Sequence, residues 1–155
     1  FILPTIHDWN KKFKEGKITA GEKEINSILT VTECHPYYTQ MLCSVLWDRN
    51  LKKGGITNQE MQQAVGELIS RESYTYTTIW DALSSKRKRL LEALAQSGTE
   101  GIYSQEFVSR FDLLSPSFVQ KSLSYLEEKG ILYREDKKIL FSDIFFSQWI
   151  LRKIV

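Results

Sequence analysis

Apolar residues recur at helical spacing along most of the chain. In the first half, Ile25, Ile28, Leu29 and Thr32 share one helical face, as do Tyr38, Met41, Leu42 and Val45, and then Met61, Val65, Leu68 and Ile69. Trp9 and Phe13 form an i,i+4 pair in a short polar segment over 6–15. Start and stop signals frame these runs. Thr19-Ala20-Gly21-Glu22 and Thr57-Asn58-Gln59-Glu60 fit capping boxes, in which a hydroxyl and a carboxylate satisfy backbone N–H groups reciprocally. The second helix should end near Glu33. Pro36 suits a first helical turn, where its missing N–H leaves no bond unmade. Gly54-Gly55 should close the helix that it opens. Residues 1–72 therefore read as a bundle of about four helices. Residues 73–83 could be a strand by their Thr and aromatic content, but the spacing of Ile79, Trp80 and Leu83 favours a helix.

The second half changes pattern. Ser84 should cap a helix with Leu90, Leu91 and Leu94 inside, stopping at Gly98, and Ser104 a short helix with Phe107, Val108 and Phe111. Ser115-Pro116 opens a helix with Val119, Leu123 and Leu126 inward, ending at Gly130. Two short apolar runs, 131–135 and 138–141, meet at Asp136-Lys137 as a β-hairpin. A last helix, 143–154, carries Phe145, Phe146, Trp149 and Ile150. Helix, helix, turn, helix and hairpin is the order of a winged helix-turn-helix, and Leu123–Leu132 reads as its third helix running through glycine into a wing strand. The expected fold is mainly α: a small helical bundle, residues 1–76, then a winged helix-turn-helix with a short β-hairpin, residues 77–155.

Composition narrows the function. The 155 residues are 42% hydrophobic and 26% charged with a net charge of +2, ordinary for a globular chain. No apolar run approaches the roughly 20 residues that span a bilayer. Two cysteines, Cys34 and Cys43, are too few for a disulfide framework or a zinc site and read as reduced thiols of a cytoplasmic protein. Two histidines, His7 and His35, offer no paired-ligand or triad spacing, so no catalytic residue and no metal ligand set is assigned.

One segment is specific. Cys34-His35-Pro36-Tyr37-Tyr38-Thr39-Gln40-Met41-Leu42-Cys43 through Trp47 closely resembles the His-Pro-Tyr-Tyr-x-Gln-x-Leu segment in the lid of archaeal-type P-loop ATPases, a branch of the AAA+ and STAND superfamily. Phe1-Ile2-Leu3-Pro4 is similar to that family's exit from its nucleotide-binding domain, and the winged helix follows in the family's order. The resemblance implies that residues 1–76 are an ATPase lid and that Pro36, with His35 before it, lies on the adenine side of ATP and Mg in an intact ATPase. Cys34 stands where the family usually has glycine. No Gly-x-x-x-x-Gly-Lys-Ser/Thr loop occurs, so nothing in the chain wraps backbone N–H groups around a triphosphate. The chain thus reads as a non-catalytic fragment without cofactor of its own. Its partners would be a missing N-terminal P-loop domain and DNA or protein at the winged helix, with no membrane.

Residues 84–155 hold 12 Lys and Arg against 9 Asp and Glu, whereas 1–83 hold 9 against 10. That surplus is small for a DNA reader. Ser117, Gln120, Lys121 and Ser124 on the third helix could meet phosphates or base edges, with Glu128 opposing. Arg134, Lys137 and Lys138 on the wing could touch backbone. The run Lys86-Arg87-Lys88-Arg89 reads as a solvated helix start, with Arg87 near the apolar face. The alternatives are a free-standing winged-helix transcription regulator with a dimerisation or sensing bundle, and a protein-binding adaptor.

Overall fold

The computed structural model of the chain describes residues 21–50, 56–136 and 138–154. The expected helix at 6–15, the Thr19-Ala20 half of the first capping box, the Gly54-Gly55 stop and Lys137 lie outside them. The described residues form eight helices and one two-stranded hairpin. The chain divides into two compact units, Phe1–Arg71 and Glu72–Val155.

The first unit holds α1 (Glu22–Val31), α2 (Pro36–Asn50) and α3 (Asn58–Arg71). Gly21, not Thr19, is the N-cap of α1, and no side chain caps it. α3 does start in a capping box: Glu60 N–H donates to the Thr57 hydroxyl at 3.2 Å, and Thr57 N–H donates to the Glu60 carboxylate at 2.8 Å. α2 packs against both α1 and α3. Its buried side is wider than the expected stripe. Leu42, Val45, Leu46 and Trp47 are all buried while Met41 is only half-buried, because a helix with two neighbours buries more than one narrow face. Arg49 fastens α2 to α3 through Glu67 at 3.1 Å and Gln63 at 2.6 Å. Arg71 and then Arg49 hold the Glu67 carboxyl below its usual range.

The second unit begins with α4 (Ser73–Asp81), the bridge segment, which is helical as its spacing suggests. Its inward residues are Tyr76 and Trp80, followed by Leu83; Ile79 is half-buried. Then come α5 (Ser85–Ser97), α6 (Gln105–Arg110), α7 (Pro116–Glu128), β1 (Leu132–Glu135), β2 (Lys138–Phe141) and α8 (Ile144–Ile154). The strands pair antiparallel with Leu132 opposite Phe141 and Glu135 opposite Lys138. Ser104 and Ser115 accept from the N–H groups three residues on, each at 3.1 Å, as their cap positions predict. Ser84 is an N-cap by backbone position only, since its side chain makes no cap bond.

α8 packs on α5, α4 and β2. Its aromatic side chains join those of α4: Tyr76 meets Phe146 and Trp149 at ring centroid distances of 5.2 and 5.9 Å, and Trp80 meets Trp149 edge-on at 5.9 Å. Asp143 secures this junction from two sides. One oxygen accepts from the N–H groups of Phe145 and Phe146, capping α8, and the other accepts from the Tyr76 hydroxyl at 2.7 Å. Among the described residues no helix is long and apolar enough to cross a membrane.

Candidate functional site

Two surfaces carry the residues singled out by sequence, one in each unit.

The first is the corner between α1 and α2. α1 ends in a Schellman motif: Cys34 N–H donates to the Leu29 carbonyl at 2.9 Å, and Glu33 N–H to that of Thr30 at 3.3 Å. Glu33 takes the left-handed position at φ 49°, and Cys34 follows at φ 58°. Glycine is the usual occupant of such backbone, so cysteine adopts here the conformation that glycine serves most cheaply. His35 then accepts the first α2 hydrogen bond, from Thr39 N–H at 2.9 Å, and Pro36 is the first helical residue. The corner is pinned from below. Buried Thr32 donates to the Ile28 carbonyl at 2.8 Å, and its oxygen lies 2.8 Å from that of buried Thr39. Tyr38 is buried beneath His35, ring centroids 4.9 Å apart. What remains outside is a continuous exposed strip of Cys34, His35, Pro36 and Tyr37. Cys43, by contrast, is half-buried on α2, and burial pushes its thiol up to about 11.

The second surface is the winged helix. Ser117, Gln120, Lys121 and Ser124 are all exposed on α7 and border one shallow depression with Tyr125 and Glu128. Ser124 donates to the Gln120 carbonyl of its own helix at 3.2 Å. Arg134 lies on β1, turned to Glu127 of α7, with contacts of 3.1 and 3.0 Å. The hydrogen bonds that it donates to the Tyr103 side chain and to the Glu127 carboxylate raise its pKa further above the usual arginine value. Lys138 is exposed opposite Glu135, so the described wing tip carries both signs of charge.

The basic run at the start of α5 is not a freely solvated helix start. Lys86, Arg87 and Lys88 are half-buried. Lys86 contacts the carbonyl and carboxylate of Asp112 at 3.1 and 3.4 Å, and Arg89 pairs with the same carboxylate. Lys88 lies 3.7 Å from Asp81. Arg87 is stacked on the Tyr125 ring, 3.7 Å from its centroid. Its Nε is buried without a hydrogen-bond partner, while the guanidinium charge rests on the π face. Asp112, Glu127 and Tyr125 are the residues that sequence reasoning passed over.

Three helices closed by a two-stranded antiparallel wing define a winged helix-turn-helix, a module that binds nucleic acid or protein. The family described as "Probable winged helix domain" matches residues 74–152, and the chain belongs to that family. No curated protein and no solved structure matches the chain.

Proposed function

We propose that this chain is the lid and winged-helix part of an archaeal-type P-loop ATPase, and that its winged helix docks protein rather than DNA. The observation that carries the first half is the corner at Cys34. The family's glycine position is left-handed in this chain even with cysteine in it, and the turn leaves His35 and Pro36 exposed at the head of α2. In the intact ATPase, Pro36 and His35 would sense the adenine of bound ATP, and Mg would be held by the missing P-loop domain. The lid would then reposition the winged helix as nucleotide is bound and spent. This reading predicts a Walker A loop in the parent protein and weakened nucleotide affinity in its Pro36→Ala variant. An unchanged affinity, or a parent without a P-loop, removes it.

The charge pairing on the second unit supports the docking half. DNA affinity is dominated by cations meeting phosphates, and here Lys86, Lys88, Arg89 and Arg134 each have a carboxylate partner. The test is a fluorescence-anisotropy titration of duplex DNA at two salt concentrations. Docking predicts weak binding with a shallow salt slope. Micromolar or tighter binding with a steep slope favours the free-standing regulator.

A further inference from the structure

The turn between α6 and α7 closes on the same hydrogen-bond pattern as the end of α1. Leu113 N–H donates to the Val108 carbonyl at 2.9 Å and Asp112 N–H to that of Ser109 at 3.3 Å, again a Schellman motif, with Asp112 left-handed at φ 48°. α7 ends likewise, through Gly130 at φ 67°. Backbone economy therefore favours glycine at 112 as it does at 130, yet the chain places a carboxylate there. That carboxylate is held by Lys86 and Arg89, which lie three residues apart and so on one face of α5. The pair is therefore formed to grip a carboxylate, and it does so in the turn leading into the exposed α7 face.

The grip is easily exchanged. The Asp112 side chain is 76% exposed and those of Lys86 and Arg89 are 37% and 46% exposed. Water screens all three, and exposed pairs of this kind contribute little. An incoming carboxylate could replace Asp112 without unfolding anything. A phosphodiester duplex fits less well, because Glu128, Glu135 and Asp136 are also exposed on α7 and the wing and would repel a rigid rod of charge over a wide front, whereas a flexible acidic chain can set one side chain on the pair and leave the rest in solvent.

We propose that Lys86 and Arg89 form a carboxylate-binding site for an acidic segment of a protein partner, occupied in the unbound protein by the chain's own Asp112. This rests on the protein-docking reading above. The test uses the whole chain and fluorescently labelled poly-L-glutamate. Asp112→Asn and Asp112→Gly both suit a left-handed residue, so both keep the turn. Each should bind polyglutamate about threefold or more tightly than the unaltered chain, the scale of one exposed ion pair released. Adding Lys86→Gln and Arg89→Gln should return affinity to the starting value. Glu100→Gln adds the same charge away from the pair and should give no comparable gain. Equal gains from Glu100→Gln and Asp112→Asn, or no gain from either Asp112 variant, overturns the site. So does a gain for duplex DNA that polyglutamate does not share. Tight duplex binding by the unaltered chain would instead sink the docking reading, so the two failures are distinguishable.

Discussion

Replacing Cys34 with glycine should stabilise the first unit, although glycine usually weakens a fold. A side chain at left-handed φ costs about 1–2 kcal/mol. Glycine forfeits about 0.5–1 kcal/mol through the greater freedom of its unfolded chain. Cys34 sits at φ 58°, and its side chain is exposed, so truncation gives up little buried area. The difference leaves Cys34→Gly ahead by about 0.5–1 kcal/mol, or about two- to fivefold in the opening equilibrium. Cys34→Ala keeps a Cβ and should match the parent, while Cys34→Val brings a β-branch into a region that such residues avoid and should lose about 1 kcal/mol. Amide hydrogen exchange at Leu42 and Leu46, both buried on α2, reads the first unit alone. The expected order of protection is Gly, then Cys and Ala together, then Val. Glycine at or below alanine would refute the reasoning, because that is its rank in ordinary helical or extended backbone.

Three further perturbations separate neighbouring effects by urea unfolding or chemical labelling. Thr32→Val should cost about 1–3 kcal/mol and Thr39→Val about 1, because Thr32 commits its proton to Ile28 and its loss strands the buried Thr39 hydroxyl; equal costs would contradict that donor order. Ser104→Ala and Ser115→Ala should each lose about 1 kcal/mol, while Ser84→Ala should change stability little, its hydroxyl making no cap bond. Iodoacetamide at pH 8 should label exposed Cys34 and spare Cys43 until the protein unfolds, since burial raises the Cys43 thiol from 9.0 to about 11. By linkage, the Cys43 contribution to stability is complete below pH 9 and lost as pH rises toward 11. Two equally fast thiols in the native protein would contradict it.

Several helix starts were legible in this chain because they are written in local chemistry. Thr57 with Glu60, Ser104, and Ser115 before Pro116 announce themselves within four residues, and the structure uses those groups as caps. Helix ends were legible where glycine marks them, as at Gly98 and Gly130, and the end of α1 was placed near Glu33, the first left-handed residue of its closing motif. Spacing did not show that Glu33, Cys34 and Asp112 take the left-handed positions in the motifs that close α1 and α6. Packing hid the rest. Spacing singled out Ile79, Trp80 and Leu83, but Ile79 is only half-buried, while Tyr76 is buried with its hydroxyl donating to Asp143, 67 residues on. Spacing also exposed Ser117, Gln120, Lys121 and Ser124, where the structure has them. It could not reveal that Arg134 would turn back to Glu127, or Arg87 settle on Tyr125, since both contacts need the third dimension.

Charge placement bears on partner choice more than charge total does. A modest surplus of cations over 84–155 would suffice for DNA if those cations stood clear of carboxylates and faced one way. Instead Asp112 takes two, Asp81 and Glu127 take one each, and Lys153 lies 4.4 Å over the Trp149 ring. Lys121 and Lys138 are the exposed described cations left among the candidate contacts. Two phosphate contacts correspond to a salt slope of about −2, against about −5 or steeper for proteins making six or more. Exchanging Arg134 from Glu127 to a phosphate would strand that glutamate beside the DNA, so the cost falls on both sides of the exchange. A protein surface asks for less: one carboxylate at Lys86 and Arg89, and neutral hydrogen-bonding groups opposite Ser117, Gln120 and Ser124.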